Sequence, residues 1–257
     1  MLLSDGKRRY FVKLNRADRL EMFEAEFAGL DELAKSKTIR VPQPLCSGCS
    51  ADHSYLVMEY IELSGSEVSE AAGRQLAALH RVGWSTFGWR RSNTIGSTPQ
   101  ANTPSDNWIS FWRERRLGFQ LELAARNGYG GALQKRGAQL MEFVPGLIDH
   151  NPQPSLLHGD LWGGNLAYDR EGNPVIYDPA TYYGDREAEL AMTELFGGFG
   201  GRFYAAYNEA WPLDPGYTSR KTLYNLYHIL NHLNMFGGGY GSQALAMINR
   251  LLAEIKG

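Results

Sequence analysis

Apolar positions near the start of the chain follow two different periods. Tyr10-Phe11-Val12-Lys13-Leu14 is rich in strand formers, and the Asp5-Gly6 pair ahead of it is a strong turn signal, so residues 1–14 read as a β-hairpin. Behind Asp18, which can cap a helix, Met22, Phe23, Glu26, Phe27, Leu30 and Leu33 recur at helical spacing. Val41-Pro42-Gln43-Pro44 breaks that pattern. Leu45 to Ser47 and the apolar run Tyr55 to Tyr60 then read as two more strands, followed by a hinge-like polar stretch around Glu62 to Ser69.

Beyond the hinge the period is mostly helical. Ala71 to Val82 carries Leu76, Leu79 and His80 on one stripe; Trp108 to Arg126 and Leu133 to Ile148 are amphipathic, with a glycine-rich break at Asn127 to Gly131 between them. Residues 84–106, dense in Ser, Thr, Asn and Gly, read as a long loop. Residues 154–185 form a compact non-helical block, and helices return from 187 onward. The pattern predicts an α+β layout of two unequal lobes: a small strand-rich lobe over residues 1–62 and a larger helical lobe over 63–257.

The non-helical block is where chemistry concentrates. His158-Gly159-Asp160-Leu161-Trp162-Gly163-Gly164-Asn165 sets Asp160 and Asn165 in D-x-x-x-x-N spacing, and Val175-Ile176-Tyr177 leads to a second acid, Asp178. This is the order of a kinase catalytic loop followed by its metal-binding aspartate. Phosphoryl transfer to an alcohol needs a carboxylate to accept the hydroxyl proton, which suits Asp160. It also needs hard oxygen ligands for magnesium, which suits Asp178 and Asn165. A lone Asp-x-x-x-x-Asn would be an ordinary turn; the ordered set of three is what points to a phosphotransferase centre.

Such a centre needs a lysine on the small lobe, held by a helix glutamate. Lys13 lies in the predicted strand, and the next element carries Glu21, Glu24 and Glu26; Glu26 is the first choice of partner and Glu24 the second. Met58, Glu59 and Tyr60 close the strand that leads into the hinge, where backbone groups would hold adenine.

These residues resemble the aminoglycoside phosphotransferase and choline kinase superfamily, and more narrowly the fructosamine/ketosamine kinases. The narrower likeness rests on Asp178-Pro-Ala-Thr-Tyr-Tyr-Gly-Asp-Arg-Glu187, Glu194-Leu-Phe-Gly-Gly-Phe199, and Leu223-Tyr-Asn-Leu-Tyr-His-Ile-Leu-Asn-His-Leu-Asn234. Tyr10-Phe-Val-Lys-Leu-Asn15 and Met22-Phe-Glu-Ala-Glu26 agree, so the resemblance covers essentially the whole chain. It implies a bilobal protein-kinase-like fold, ATP and magnesium, and transfer of the γ-phosphate to a sugar hydroxyl on a ketosamine, either a small molecule or a glycated protein amine. It implies loss of the sugar from the amine afterwards, and it turns Trp162 and His158 toward the substrate. Other acceptors in the superfamily, such as aminoglycosides or choline, are the alternative. The cluster His228, Asn231, His232 and Asn234 on one helix has spacing that could bind a metal, but no carboxylate or Cys motif accompanies it, so a hydrogen-bonded core or substrate-wall role is expected.

The likeness departs at the start. Ser4-Asp5-Gly6-Lys7 is already a turn, so the first strand and the glycine-rich loop of a kinase small lobe are expected to be missing, with relatives carrying another hairpin ahead of Met1. Weakened activity, a silent binding role, or pairing of two copies through an open strand edge are the corresponding expectations.

Bulk properties fit this picture. A hydrophobic fraction of 43% and a charged fraction of 21% are those of a soluble globular protein, and a net charge of −2 argues against nucleic-acid binding. No apolar run approaches the roughly 18 residues of a membrane span, and the first residues are too polar for a signal peptide, so a cytoplasmic location is expected. Cys46 and Cys49 stand in C-x-x-C spacing without a second pair, which favours a plain structural role.

Overall fold

The computed structural model describes residues 1–64 and 69–255. Strand β1 (Leu2–Ser4) turns through Asp5–Arg8 into β2 (Arg9–Arg16), the Asp5 carboxylate accepting from the Lys7 and Arg8 amides at 2.8 and 2.6 Å. A 3-10 turn (Ala17–Arg19) precedes α1 (Leu20–Ser36), and β3 (Pro44–Cys49) and β4 (His53–Glu59) follow. The four strands form one antiparallel sheet in the order β1-β2-β4-β3. Phe23, Leu30 and Leu33 of α1 are buried with Leu56 and Met58 of β4 in the core. The expected cap by Asp18 does not form, because its carboxylate pairs with Arg16 at 2.6 Å and the 3-10 turn displaces the helix start. Both cysteines are free and exposed.

Next comes β5 (Leu63–Ser64), which pairs with a strand far along the chain, so the hinge-like stretch is partly strand; its residues 65–68 lie outside the described residues. Helix α2 (Glu70–His80) is followed by a hairpin, β6 (Asn93–Ile95) and β7 (Thr98–Gln100), where a long loop was expected. The polar residues there face inward rather than to solvent. Asn93 donates to the Thr181 carbonyl at 2.8 Å and Gln100 to the Ala180 carbonyl at 3.0 Å. Helix α3 (Trp108–Phe111) runs through a π-helical stretch (Trp112–Gly118) into α4 (Phe119–Arg126), and α5 (Ala132–Leu147) packs beside them.

Short strands then build the irregular block: β8 (Ser155–Leu157), β9 (Leu166–Asp169), β10 (Pro174–Ile176) and β11 (Tyr182–Gly184), paired as β10-β9-β5 and β11-β8. Helices α6 (Arg186–Leu195), α7 (Gly201–Ala210), α8 (Tyr217–Phe236) and α9 (Tyr240–Glu254) complete the lobe. Helix α8 is its axis, with Leu223, Leu226, Ile229, Leu230 and Leu233 almost wholly buried. Arg40, in the connection after α1, ties the two lobes by bonding Glu59 at 2.9 Å and Asp169 at 2.6 Å. No described helix is long and apolar enough to cross a membrane. This is the bilobal α+β arrangement of a protein-kinase-like fold.

Candidate active site

After β8 the chain bends at Gly159, whose φ of 86° and close approach to the Ala180 carbonyl leave no room for a Cβ. The amides of His158 and Gly159 donate to the Glu189 carboxylate of α6 at 3.2 and 2.6 Å. Glu189 also lies 2.8 Å from His80 Nε2, and His80 Nδ1 lies 2.8 Å from the Tyr207 hydroxyl. With two amides already donating to Glu189, His80 takes the tautomer that donates from Nε2. Burial pushes the Glu189 carboxyl up, but the bond from His80 and the loop amides hold it below the usual carboxylate range. A buried anion thus pins the backbone from which Asp160 projects. Asn165 Nδ2 closes the loop by donating to the Asp160 carbonyl at 2.8 Å.

The second acid is held as tightly. Asp178 has φ of 59°, a left-handed conformation that non-glycine residues seldom adopt. Its neighbours enforce that turn: the Tyr177 amide donates to the Asn165 carbonyl at 3.2 Å and the Ala180 amide to the His158 carbonyl at 2.9 Å. The Asp178 carboxylate then meets Lys13 Nζ at 3.0 Å, and Lys13 meets Glu26 at 2.7 Å. Glu26 is the lysine's partner among the helix acids; Glu24 instead faces Arg91 at 3.7 Å. Burial opposes the charge on Lys13, but the two carboxylates outweigh it and hold its pKa above the ordinary value. Asp160 has no such cation: burial first, then the charges of Asp178 and Glu189, push its pKa up to about 7.

Three cavities adjoin one another through these groups. One of about 410 Å³ is lined by Phe11, Pro42, Met58, Glu59, Tyr60 and Ile61, with Lys13 and Asp178 at its inner end. The next, about 290 Å³, contains Lys13, Glu26, Asp160, Asn165 and Asp178. The third, about 350 Å³, shares Asp160, Trp162 and Gly96 with the second and is walled by Phe196, His228, Asn231 and His232. Lys13, Glu26, Met58, Glu59, Tyr60, Asp160, Asn165, Asp178 and Trp162 are therefore brought to one cleft. Trp162 is 39% exposed, its indole folded over Gly164, where a side chain would collide with it, and edge-on to Phe196 at 6.2 Å.

The expectation for His158 is corrected. It is fully buried, its Nε2 is 2.9 Å from the Tyr177 carbonyl, and its Nδ1 accepts from the Asp160 amide at 3.3 Å, so it braces the loop rather than facing a substrate. His228, Asn231 and His232 line the third cavity, whereas Asn234 turns away to Gln120. Sequence reasoning missed Glu189 and the wall made by Phe196, Phe236, Tyr240 and the tip of the β6–β7 hairpin. The spacing of His228, Asn231, His232 and Asn234 placed them on a helix but did not tell which of them meet a cavity.

Comparison with known proteins agrees with the geometry. A family model described as fructosamine kinase matches residues 1–254. A protein assigned as a ketoamine kinase in Synechocystis is 52% identical, the match covering 97% of this chain and 85% of that protein. The chloroplastic protein-ribulosamine 3-kinase of Arabidopsis thaliana is 46% identical over 96% of this chain and 77% of its own length. A crystal structure assigned as a fructosamine-3-kinase from Haemophilus somnus superposes with a TM-score of 0.90 at 32% identity, covering 98% of this chain and 86% of that one.

Proposed function

This chain belongs to the fructosamine kinase family, and we propose that it transfers the γ-phosphate of ATP to a sugar hydroxyl of a ketosamine of the fructosamine or ribulosamine type, initiating removal of the sugar from the amine. The single observation that carries the reading is the succession of three adjoining cavities, with Lys13 and Asp178 shared by the first two and Asp160 by the last two. Adenine lies in the first cavity against Met58 to Ile61, phosphates in the second, and the sugar in the third. That first cavity is lined both by residues 11–63 and by Tyr177 and Asp178, which supports a nucleotide held between a small lobe over 1–62 and a larger one over 63–257.

In the transfer, the acceptor hydroxyl oxygen bonds to the γ-phosphorus as the bond from that phosphorus to the bridging oxygen breaks, giving ADP and a sugar phosphate. The hydroxyl proton passes to the Asp160 carboxylate. Lys13, charged and aimed by Glu26, steadies the nucleotide phosphates. Asp178 and the Asn165 side-chain oxygen, not used by any described hydrogen bond, are hard donors of the kind magnesium takes. When bound there, magnesium would neutralise phosphate charge. The phosphorylated ketosamine is labile and sheds the sugar, which makes the activity one of deglycation.

The test is phosphate transfer followed by ³¹P NMR with MgATP and fructosyl-lysine, ribulosyl-lysine, an aminoglycoside or choline, for the wild type and Asp160→Ala. Turnover on a ketosamine that drops at least a hundredfold in the variant is expected. Turnover on choline or the aminoglycoside alone would overturn the acceptor, and an unimpaired variant would overturn the base.

A further inference from the structure

The sugar cavity holds a polar group with an unusual deficit. His228, on α8, is 4% exposed and lines the same cavity as Asp160. Its Nδ1 is enclosed without any hydrogen-bond partner. Buried imidazoles ordinarily satisfy both ring nitrogens, and each exception calls for a reason. An enclosed N–H without an acceptor is the costlier orphan, so the proton belongs on Nε2 and Nδ1 stays a bare lone pair. Nε2 is then a donor with no hydrogen-bond partner among the described residues, on a side chain that lines the cavity.

The ring is also kept neutral: burial, then the charges of His232 and Arg116, push its pKa down to about 3. The Tyr227 ring packs edge-on against it at 5.1 Å, and one turn further on His232 Nδ1 bonds the backbone carbonyl of His228 at 2.8 Å. Trp162, Phe196 and Ile95 line the same cavity, the Phe196 ring 4.9 Å from that of His232. A sugar has apolar C–H faces and a rim of oxygens, and such a cavity sorts the two: rings against the face, α8 against the rim.

We propose that His228 is a specificity residue for the acceptor: its Nε2–H donates a hydrogen bond to an oxygen of the ketose that is not the one phosphorylated, fixing which hydroxyl reaches Asp160. The inference rests on the ketosamine reading above. It gives the buried, unpaired imidazole a function that neither core packing nor a metal supplies. A neutral donor is also the right choice for a substrate that carries an ammonium, because a charged imidazolium would repel it.

The test compares wild type with His228→Phe, which keeps the shape and removes both nitrogens. Steady-state kinetics with fructosyl-lysine, with its mono-deoxy analogues and with MgATP give the readouts. The expected result is a KM for fructosyl-lysine raised about tenfold, an unchanged KM for MgATP, and a variant that no longer discriminates against one of the deoxy analogues that the wild type rejects. Thermal stability should hold or rise, because a buried unpaired polar group has gone. Wild-type discrimination retained in a folded variant, or a lowered melting temperature with unchanged KM, would show a purely structural histidine and overturn the proposal. A wild type inactive on every ketosamine but active on another alcohol would instead remove the reading on which it rests.

Discussion

Lowering the pH should extinguish turnover through one carboxylate. Asp160 is pushed up to about 7 by burial, then by Asp178 and Glu189, and it must be ionised to take the acceptor's proton. An ordinary aspartate, titrating near 3.8, would be almost fully ionised at pH 6. With a pKa near 7, only about one molecule in ten carries the anion at pH 6 and about one in a hundred at pH 5. The plateau value of kcat/KM for the ketosamine should therefore fall about tenfold at pH 6, with unit slope in the logarithm below that.

The assay is ADP release at saturating MgATP and limiting fructosyl-lysine, from pH 5 to 8.5 at constant ionic strength. Magnesium on Asp178 would weaken the charge repulsion, but burial is the largest cause of the shift and it persists. The inflection should stay well above the ordinary aspartate range. A profile flat down to pH 5.5 in a protein that is still folded would refute the claim that Asp160 acts as the base from this environment.

The same shift makes a stability prediction. Asp160 binds its proton more tightly in the folded state, so its charged form destabilises the fold increasingly as pH rises from about 4 to about 7. Asp160→Asn should gain of the order of 2 kcal/mol in urea unfolding at pH 8, allowing for partial exposure, and nothing at pH 4; equal gains at both would contradict it. Gly159→Ala meets a left-handed φ and the Ala180 carbonyl at once. It should lose about 2–3 kcal/mol and nearly all activity, and an unchanged melting temperature would show that the loop can relax.

Much of the cleft was legible because its members announce themselves locally. The strand around Lys13, the helix bearing Glu26, and the ordered Asp160, Asn165 and Asp178 each have a sequence context that restricts what they can be. Long-range packing hid the rest. Glu189 sits in an Arg-Glu-Ala-Glu run that looks like a solvated helix start, yet it is 2% exposed because His80 and two loop amides meet it from distant elements. Residues 93–102 look like a polar loop because their amides are polar, whereas those amides are buried against carbonyls of the segment after Asp178. The family resemblance turned His158 toward a substrate, but its bonds to backbone turn it inward.

These contacts divide the labour in the cleft. Lys13 lies between the carboxylates of Asp178 and Glu26, so these two anions share one cation before any ligand arrives. Asp160 is the member without a cation beside it, and the proton acceptor proposed here needs that: a nearby cation would lower its pKa and its appetite for the hydroxyl proton. A carboxylate raised by burial and like charge cannot anchor its own loop, since every bond to its anion would undo the shift. The anchoring falls to Glu189, one layer deeper, whose ionised carboxylate binds the backbone of His158 and Gly159 and leaves the Asp160 side chain free. Glu189 is also the third cause of the rise at Asp160, so one buried anion both positions the proposed base and tunes it.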